Sequence, residues 1–254
     1  MKTIVFCSFK GGTGKTTLSL NIGSNLAQYN GKKVLLVDLD PQANLTTGLG
    51  IRSTSQYGLD NIFRNTAAIY DVIHSTKIEN LDIIPSNILL ESLRGINQDV
   101  SLTVHHLYLA LERVKEKYDV CILDTPPSLG ILTQEAFLAA THLVICLTPE
   151  PFSILGLQKI KEFCSTVNSG LSLEVLGVVL SFWNERNSTN VTYLNIIESI
   201  YKDKILSSKI RRDVALSRAL LKETSVSNAY PSSRANKDIL SLTKELGNKL
   251  FNTQ

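Results

Sequence analysis

Short runs of apolar residues alternate with longer segments of helical periodicity along the whole chain. This is the pattern of βαβ units, in which buried parallel strands read as continuous apolar runs and the crossovers are helices. Strands are predicted at residues 3–9, 33–39, 81–84, 119–124, 142–147 and 174–181. Helices are predicted at residues 15–29, 87–97, 102–117, 130–140, 153–168, 189–202, 213–221 and 236–251. The predicted fold class is therefore α/β, with a mostly parallel, twisted sheet flanked by helices.

No break in composition divides the chain. It contains neither internal repeats nor a linker rich in proline, glycine and serine, and its most loop-like interior stretch, residues 50–66, is too short to separate two domains. With 254 residues, of which 43% are hydrophobic, the chain can bury a large core and does not belong to the disordered class. We therefore expect a single domain spanning residues 1–254.

The sequence predicts neither a membrane span nor a secretion signal. No run of about 18 apolar residues occurs, and the apolar run at residues 3–9 leads into a glycine-rich loop instead of a cleavage site. The cysteines Cys7, Cys121, Cys146 and Cys164 are far apart and form no C-x-x-C pair, which favours reduced core residues over metal ligands. These observations favour a cytoplasmic protein.

The first predicted strand leads into the loop SFKGGTGKTT, which is followed at once by a helical pattern. Glycines let successive backbone N–H groups converge on a phosphate, and the helix N-terminus adds the positive end of its dipole. Lys15 would reach the β- and γ-phosphates of a nucleotide, and the Thr16 hydroxyl would ligate Mg²⁺. The strict P-loop pattern requires glycine where this chain has Phe9, but the deviant form K-G-G-x-G-K-[ST] fits, with Lys10 as its first lysine. The sequence thus predicts phosphate binding at this turn.

Acidic residues end two further predicted strands. Asp38 and Asp40 lie two residues apart on the same side of an extended segment, and Asp124 closes the strand at 119–124. One carboxylate of the first pair can orient the water that attacks a phosphate, while its neighbour lies in the outer shell of Mg²⁺. Asp124 has the position of a Walker B carboxylate, which holds Mg²⁺ through water. The alternative for the first pair is that both are solvated residues before a turn at Pro41.

Longer motifs carry a resemblance to a known family. They read KGGTGKTT, DLDPQANLTTGLG, IYDV with ENLDIIPSN, and ILDTPPSLG. Together they are similar to the ParA/Soj family of plasmid and chromosome partition ATPases over nearly the whole chain. The strings TPEPFSILGLQKI and SFWNERNSTN resemble chlamydial ParA-type proteins in particular. The resemblance implies a P-loop fold of the MinD/ParA superfamily that hydrolyses ATP with Mg²⁺ as cofactor.

The resemblance also implies a reaction cycle. Two ATP-bound monomers would pair face to face, and Lys10 would cross to the phosphates of the partner's nucleotide. This homodimer would bind DNA without sequence preference, until a partner of the ParB/Spo0J type stimulates hydrolysis and releases the DNA. The protein would thereby drive chromosome or plasmid segregation, would associate with the nucleoid when ATP-bound, and would have no stable membrane association.

The family roles carry over to individual residues of this sequence. Lys10, Lys15 and Asp40 would be catalytic, with Asp40 helping to activate the attacking water. Thr16 and Asp124 would serve Mg²⁺, together with Asp38 in a supporting position. The phosphates of ATP would be cradled by Lys10, Gly11, Gly12, Thr13, Gly14, Lys15, Thr16 and Thr17.

The resemblance places adenine between the end of the strand at 174–181 and a later turn that reads IPRN in the family. The corresponding residues here are Phe182 and the segment 210–213, in which Arg211 replaces the usual proline. Phe182 and Arg211 are therefore the adenine candidates. Phe182 is equally compatible with a role as a core aromatic.

Basic residues are concentrated near the C-terminus. The chain has 26 Lys+Arg and 23 Asp+Glu, a formal net charge of +3. Between residues 201 and 237 nine basic residues stand against three acidic ones, so that this segment carries +6 and the remainder −3. Such a segment is typical of contact with a phosphate backbone, although a solvated basic face has the same pattern. The residues assigned to DNA are Lys209, Arg212, Arg218, Lys222, Arg234 and Lys237.

The family places its non-specific DNA contacts in the same region, where its pattern reads IPRNVRLSEAPS. This chain has Ala215 in place of the family's second arginine and Arg218 in place of its glutamate. We hypothesise that Arg218 and Lys222, four residues apart on one helical face, take over the missing contact. Because the first strand begins at Thr3, we do not expect the N-terminal helix-turn-helix extension of longer plasmid ParA proteins.

Four other function classes use a similar loop or fold. A MinD-like membrane-associated ATPase would need an amphipathic C-terminal helix, and Ile239, Leu242, Leu246 and Leu250 do form an apolar stripe that is more typical of a helix docked on the core. An iron–sulfur carrier would need paired thiolates, and a bacterial tyrosine kinase a tyrosine-rich tail; neither occurs here. A non-hydrolysing interaction protein would not need the charged residues of the loop and strand ends.

Overall fold

The chain folds around one sheet with helices on both faces. The structure is a computed structural model, and it describes residues 1–52, 57–95, 105–167, 173–184 and 186–251. Its strands are β1 (Lys2–Cys7), β2 (Val34–Asp38), β3 (His74–Ser75), β4 (Leu81–Ile84), β5 (Val120–Asp124), β6 (His142–Leu147), β7 (Glu174–Trp183) and β8 (Ile205–Arg211). They form one sheet in the order β3-β4-β2-β5-β1-β6-β7-β8, in which only the β3–β4 pair is antiparallel among the described residues.

The helices fill the crossovers between these strands. They are α1 (Lys15–Asn30), α2 (Asn44–Gly48), α3 (Leu59–Phe63), α4 (Ile69–Val72), α5 (His106–Glu112), α6 (Ile131–Ala139), α7 (Pro151–Val167), α8 (Ser188–Tyr201), α9 (Val214–Leu221), α10 (Val226–Ala229) and α11 (Arg234–Phe251). Two 3-10 helices cover Ile88–Gly95 and Lys202–Lys204. Within the described ranges, no helix is long and apolar enough to cross a lipid bilayer.

Alternation of side chains along the central strands creates a core on each face of the sheet. On β1, Ile4 and Phe6 belong to one apolar cluster, whereas Val5 and Cys7 belong to the other. Helices α1, α9, α10 and α11 cover the first cluster, and α3 to α8 cover the second. The predicted α/β class with a mostly parallel sheet flanked by helices is therefore confirmed.

The strand order brings three strand ends together at one edge of the sheet. Strand β5 lies between β1 and β2 and is parallel to both, and Asp124 pairs in register with Phe6 on one side and Asp38 on the other. Because parallel strands all end at the same edge, the loops that follow β1, β2 and β5 are neighbours. The lysine loop after β1 and the Walker B candidate Asp124 at the end of β5 are therefore adjacent.

Six predicted strands are present, with ends that differ by at most two residues. The first strand stops at Cys7 instead of Phe9, because Ser8 and Phe9 already belong to the loop, and β7 continues to Trp183. Strands β3 and β8 were not predicted. The edge strand β8 mixes polar, basic and apolar residues, since one side of it is partly exposed, and it therefore lacks the apolar run of a central strand.

The predictions of the helices that cover the sheet were less accurate than those of the strands. The prediction of a helix at 87–97 was wrong in type, because residues 88–95 form a 3-10 helix, while residues 96 and 97 lie outside the described part. Helix α5 is shorter than the helix predicted at 102–117, of which residues 102–104 are not described. Residue 168, the last of the helix predicted at 153–168, also lies outside the described residues. The stretch 50–66, expected as a loop, contains α3, and its residues 53–56 are not described.

The C-terminal helix α11 buries its apolar stripe. Ile239, Leu242, Leu246 and Leu250 are at most 4% exposed and belong to the core cluster under α1. The expectation that this stripe docks on the core is confirmed. Packed in this way, the stripe itself is not available for insertion into a membrane.

Candidate functional site

The loop between β1 and α1 has the backbone geometry of a phosphate cradle. Gly12 and Gly14 have φ angles of 76° and 89°, in the left-handed region that favours glycine. Gly14 caps α1, and its carbonyl accepts a hydrogen bond from the backbone N–H of Leu18 at 2.8 Å. The positive end of the α1 dipole therefore faces the loop, as anion binding requires.

Ser8 organises the inside of this loop. The Lys15 Nζ donates a hydrogen bond to the Ser8 Oγ at 2.9 Å, and the Thr13 hydroxyl donates to the same oxygen at 2.7 Å. The Ser8 hydroxyl in turn donates to the carbonyl of Lys10 at 2.7 Å. Lys15 is thus held within the loop with only 6% of its surface exposed. Sequence reasoning did not single out Ser8, although its position between an apolar strand and a glycine loop could have pointed to it.

One cavity of about 780 Å³ joins the phosphate loop to the segment after β2. We call it the phosphate cavity. Its lining includes every predicted phosphate residue of the loop from Gly11 to Thr17, together with Asp40. The remaining lining residues are Gln42, Asn44, Thr47, Gly48, Pro127, Phe182, Leu220 and Leu221. Sequence reasoning missed Asn44 and Thr47. Both belong to the short helix α2, which the sequence pattern did not predict.

Asp38 and Asp40 have different surroundings. Both oxygens of Asp38 accept hydrogen bonds: Oδ1 from the backbone N–H of Asp40 at 3.1 Å, and Oδ2 from the backbone N–H and hydroxyl of Thr46 at 2.9 and 2.7 Å. Asp40 reaches the phosphate cavity and accepts a hydrogen bond from the backbone N–H of Gln42 at 3.1 Å. The strand ends at Asp38, so Asp40 belongs to the turn that follows and not to an extended segment. Asp38 is placed to hold the turn and α2, and its role beside a metal stays a prediction.

Asp124 is a buried carboxylate with an uncompensated oxygen. Its Oδ1 accepts a hydrogen bond from the Ser19 hydroxyl at 3.2 Å, whereas its Oδ2 has no hydrogen-bond partner among the described residues. Burial raises the pKa of Asp124, and the nearby Thr16 hydroxyl and Lys15 ammonium lower it in part. Burial and the charge of Asp124 also raise the pKa of Asp38. Two adjacent buried carboxylates, one with a free oxygen, fit the oxygen donors that Mg²⁺ requires.

Lys10 lies outside the phosphate cavity and forms an ion pair with Glu150. The other carboxylate oxygen of Glu150 accepts a hydrogen bond from the Thr148 hydroxyl at 2.7 Å. Hydrogen bonds from Lys10 and Thr148 lower the pKa of Glu150. Lys10 lines a surface groove with Phe9 and Leu155, which are 36% and 56% exposed. Its ammonium group is therefore accessible to another molecule.

The adenine candidates Phe182 and Arg211 diverge in the structure. Phe182 lines the phosphate cavity and an adjoining pocket of about 290 Å³ whose walls are largely apolar, including Ile210, Val214 and Leu216. Arg211 instead turns toward α11, where its backbone N–H and Nε donate to the Asp238 Oδ2 at 3.1 and 3.0 Å. This pair fixes the turn in which the family has proline. Arg211 therefore supports the turn from outside the apolar pocket.

A second cavity of about 780 Å³ is strongly basic. We call it the cationic cavity. Four arginines line it, Arg186, Arg211, Arg212 and Arg234, together with Thr148, Pro149, Glu150, Phe182, Trp183, Asn184, Asn187 and Asn190. Arg234 donates a hydrogen bond to the carbonyl of Arg212 at 2.9 Å, which joins the start of α11 to the end of β8. Sequence reasoning missed Arg186, because it lies outside the basic C-terminal segment.

The other predicted DNA residues lie around this cavity or on α9. Lys209 places its Nζ 4.1 Å from the ring centre of Trp183, a residue that lines the cationic cavity. Lys237 is exposed on α11. Arg218 is exposed in the last turn of α9, and Lys222 caps that helix with its Nζ 4.5 Å from the Tyr230 ring centre. The structure thus divides the predicted residues between two surfaces.

Known proteins are similar to this chain along its whole length. Residues 1–175 match the family model described as an AAA domain. A virulence plasmid ParA family protein of Chlamydia psittaci is 70% identical over 254 residues, which cover 100% of this chain and 97% of the relative. The sporulation initiation inhibitor protein Soj of Bacillus subtilis is 36% identical over 253 residues, 96% of this chain and 98% of Soj.

Solved structures show the same fold. Apo McdA from Cyanothece superposes with a TM-score of 0.88 at 24% identity, over 97% of this chain and 100% of McdA. The septum site-determining protein MinD of Pyrococcus horikoshii, solved with Mg-ADP, superposes with a TM-score of 0.78 at 24% identity, over 96% of this chain and 95% of MinD. Both are similar to this chain in architecture from end to end.

Proposed function

The chain belongs to the ParA/Soj family of partition ATPases, and on that premise we propose that it is an ATP-dependent switch for DNA partition. In this proposal residues 1–254 act as a single domain. The ATP-bound form pairs as a homodimer and binds DNA without sequence preference, and a ParB-type protein stimulates hydrolysis and release. The observation that carries the proposal is that Phe182 lines both the phosphate cavity and the cationic cavity, so that nucleotide and DNA sites are neighbours.

The phosphate cavity supports ATP hydrolysis. The backbone N–H groups of the loop and the Lys15 ammonium would hold the β- and γ-phosphates, and Lys15 would offset the charge that develops during phosphoryl transfer. Asp40 reaches the same cavity and would orient the attacking water and accept its proton. Asp38 and Thr46 would keep Asp40 at this position, because the backbone N–H of Asp40 donates to Asp38.

Thr16 and Asp124 would hold Mg²⁺, with Asp38 next to them. The free Asp124 Oδ2 is the observation that fits this ion. When bound, Mg²⁺ would supply the positive charge that neutralises phosphate oxygens during hydrolysis. The Lys15 ammonium, in the same cavity, would hold the phosphates.

Lys10 would change partner between the monomer and the dimer. In the monomer it pairs with Glu150, and both side chains are about two-fifths exposed, at 42% and 40%. An ion pair at this exposure contributes little to stability. Exchange of Glu150 for phosphate oxygens of the partner's ATP would therefore cost little and would gain charge-assisted hydrogen bonds.

The cationic cavity would supply phosphate contacts to DNA. Arg186, Arg212 and Arg234 converge there from the end of β7, the end of β8 and the start of α11. Lys209 and Lys237 would extend this surface, and Arg218 with Lys222 would form a second contact on α9. Each neutralised phosphate releases counterions, so the affinity would fall steeply with salt.

DNA binding with ATP, with ADP and without nucleotide, each across a salt series, tests the proposal. We expect ATP-dependent binding whose salt slope falls by about one for each phosphate-contacting arginine that is removed, as in Arg234→Ala. Arg64→Ala, which removes an arginine on α3's C-terminal cap, is the matched control. Binding that ignores the nucleotide would refute the switch. Absence of DNA binding together with ATP-dependent sedimentation on liposomes would favour the membrane-associated alternative.

Charge reversal of Arg218 tests the second contact. Arg218→Glu places a negative charge on the exposed end of α9, so we expect weaker DNA binding and a shallower salt slope at unchanged ATP affinity. Replacement of Lys222 should act in the same direction. A salt slope and affinity equal to those of the wild type would show that α9 does not contact DNA and that Arg218 does not compensate for Ala215.

A further inference from the structure

Phe182 lies where three cavities of the molecule adjoin. Its side chain lines the phosphate cavity, the apolar pocket beside it and the cationic cavity. Its φ angle of 55° lies in the left-handed region, which is rare for an aromatic residue. Its neighbours Ser181 and Trp183 are 2% and 8% exposed, whereas Phe182 is only half-buried. The left-handed backbone at Phe182 thus turns its ring out of the sheet and toward these three cavities.

The ring of Phe182 is covered by Arg212. The guanidinium carbon lies 5.0 Å from the ring centre, within the range of a cation–π contact. Arg212 lines both the apolar pocket and the cationic cavity, so its side chain stands at the boundary. Among the described residues, Arg211 and Arg234 have carboxylate partners in Asp238 and Asp213, and Arg212 has none within 4.0 Å. The ring is therefore the side-chain contact of its guanidinium, while its charge also helps to lower the pKa of Glu150.

We infer that Phe182 is a positioning residue that releases Arg212 to DNA when a nucleobase binds. A base that enters the apolar pocket beside the phosphate loop meets the same ring that Arg212 covers. Stacking of a base on an aromatic side chain is stronger than an accessible cation–π contact, so the base displaces the guanidinium. The displaced Arg212, which already borders the cationic cavity, then lies wholly on that side, beside Arg186 and Arg234.

This coupling acts within one protomer. It rests on the proposed function, since it assumes that DNA phosphates bind in the cationic cavity. Pairing of two protomers would double the basic surface, whereas displacement of Arg212 would change the surface of each monomer. The two effects can be separated with ADP, which carries the base but lacks the γ-phosphate that the dimer requires.

The test is the contribution of Arg212 to DNA affinity, measured at low salt with and without ADP. In the wild-type background, we expect Arg212→Ala to weaken DNA binding about threefold or more with ADP and much less without nucleotide. In the Phe182→Leu background, Arg212 is free in both states, so the loss should be the same with and without ADP. Phe182→Tyr keeps the ring and should restore the difference.

Equal losses with and without ADP in the wild-type background would overturn the inference while leaving ATP-dependent DNA binding intact. A wild-type protein that binds no DNA in any state would instead refute the proposed function, and the inference with it. A second measurement does not depend on DNA: the Nε–Hε resonance of Arg212 should shift when ADP binds to the wild type and to Phe182→Tyr, and stay in place in Phe182→Leu. An unchanged resonance in the wild type would equally overturn the inference.

Discussion

Asp40→Asn is expected to slow ATP turnover by about 10²- to 10⁴-fold while ATP binding and ATP-dependent DNA binding persist. The amide has the size of the carboxylate and keeps an acceptor for the backbone N–H of Gln42, which lies 3.1 Å from the Asp40 Oδ1. It cannot accept the proton of the attacking water. Because release of DNA follows hydrolysis in the proposed cycle, DNA complexes of this variant should also last longer. Steady-state phosphate release and the DNA dissociation rate measure the two effects.

The control for this variant is Asp203→Asn, which changes an exposed acid far along the chain, on the 3-10 helix after α8. It should turn over ATP at the wild-type rate. Wild-type turnover in Asp40→Asn would remove Asp40 from the reaction. A loss of ATP binding in the same variant would instead indicate that the Asp38–Asp40 turn had been disturbed.

The phosphate loop could be predicted from sequence because its chemistry is local. Glycines at positions 12 and 14 are needed for the left-handed backbone, and the lysine and threonine that follow open the helix directly. Asp124 could be placed beside this loop because a parallel sheet aligns its strand ends. The central strands were predicted for a related reason, since they are buried on both faces and read as continuous apolar runs.

The remainder of the site depends on contacts between distant parts of the chain. Arg211 was expected near adenine, but Asp238, which is 27 residues further on, draws it to α11. Arg186 lies outside the basic segment and reaches the cationic cavity only because β7 and β8 are neighbours. Phe182 has its positive φ where the register between β7 and β8 shifts, and an aromatic residue at this position gives no sign of it in the sequence. Patterns along the sequence cannot report such long-range pairings.

Lys10→Ala is expected to bind ATP with near wild-type affinity but to lose ATP-dependent dimerisation. Lys10 pairs with Glu150 on its own protomer and does not contribute to the phosphate cavity, whose lysine is Lys15. Its removal leaves Glu150 unpaired at 40% exposure, where hydration compensates for the lost partner, so the monomer should stay stable. Charge-assisted hydrogen bonds to the partner's phosphates would be lost, weakening the dimer about tenfold or more.

Sedimentation velocity with AMPPNP, a non-hydrolysable ATP analogue, measures this change. Lys159→Ala is a matched control, because Lys159 lines the same groove and places its Nζ 4.4 Å from the Phe9 ring centre without an assigned role at the phosphates. Its dimer should form as in the wild type. An equal loss in both variants would assign the effect to the groove between Phe9 and α7, and a Lys10→Ala dimer as stable as the wild type would show that Lys10 does not bridge the protomers. Loss in Lys10→Ala alone would instead identify the Glu150 pair as the resting position of a lysine that acts on the other protomer.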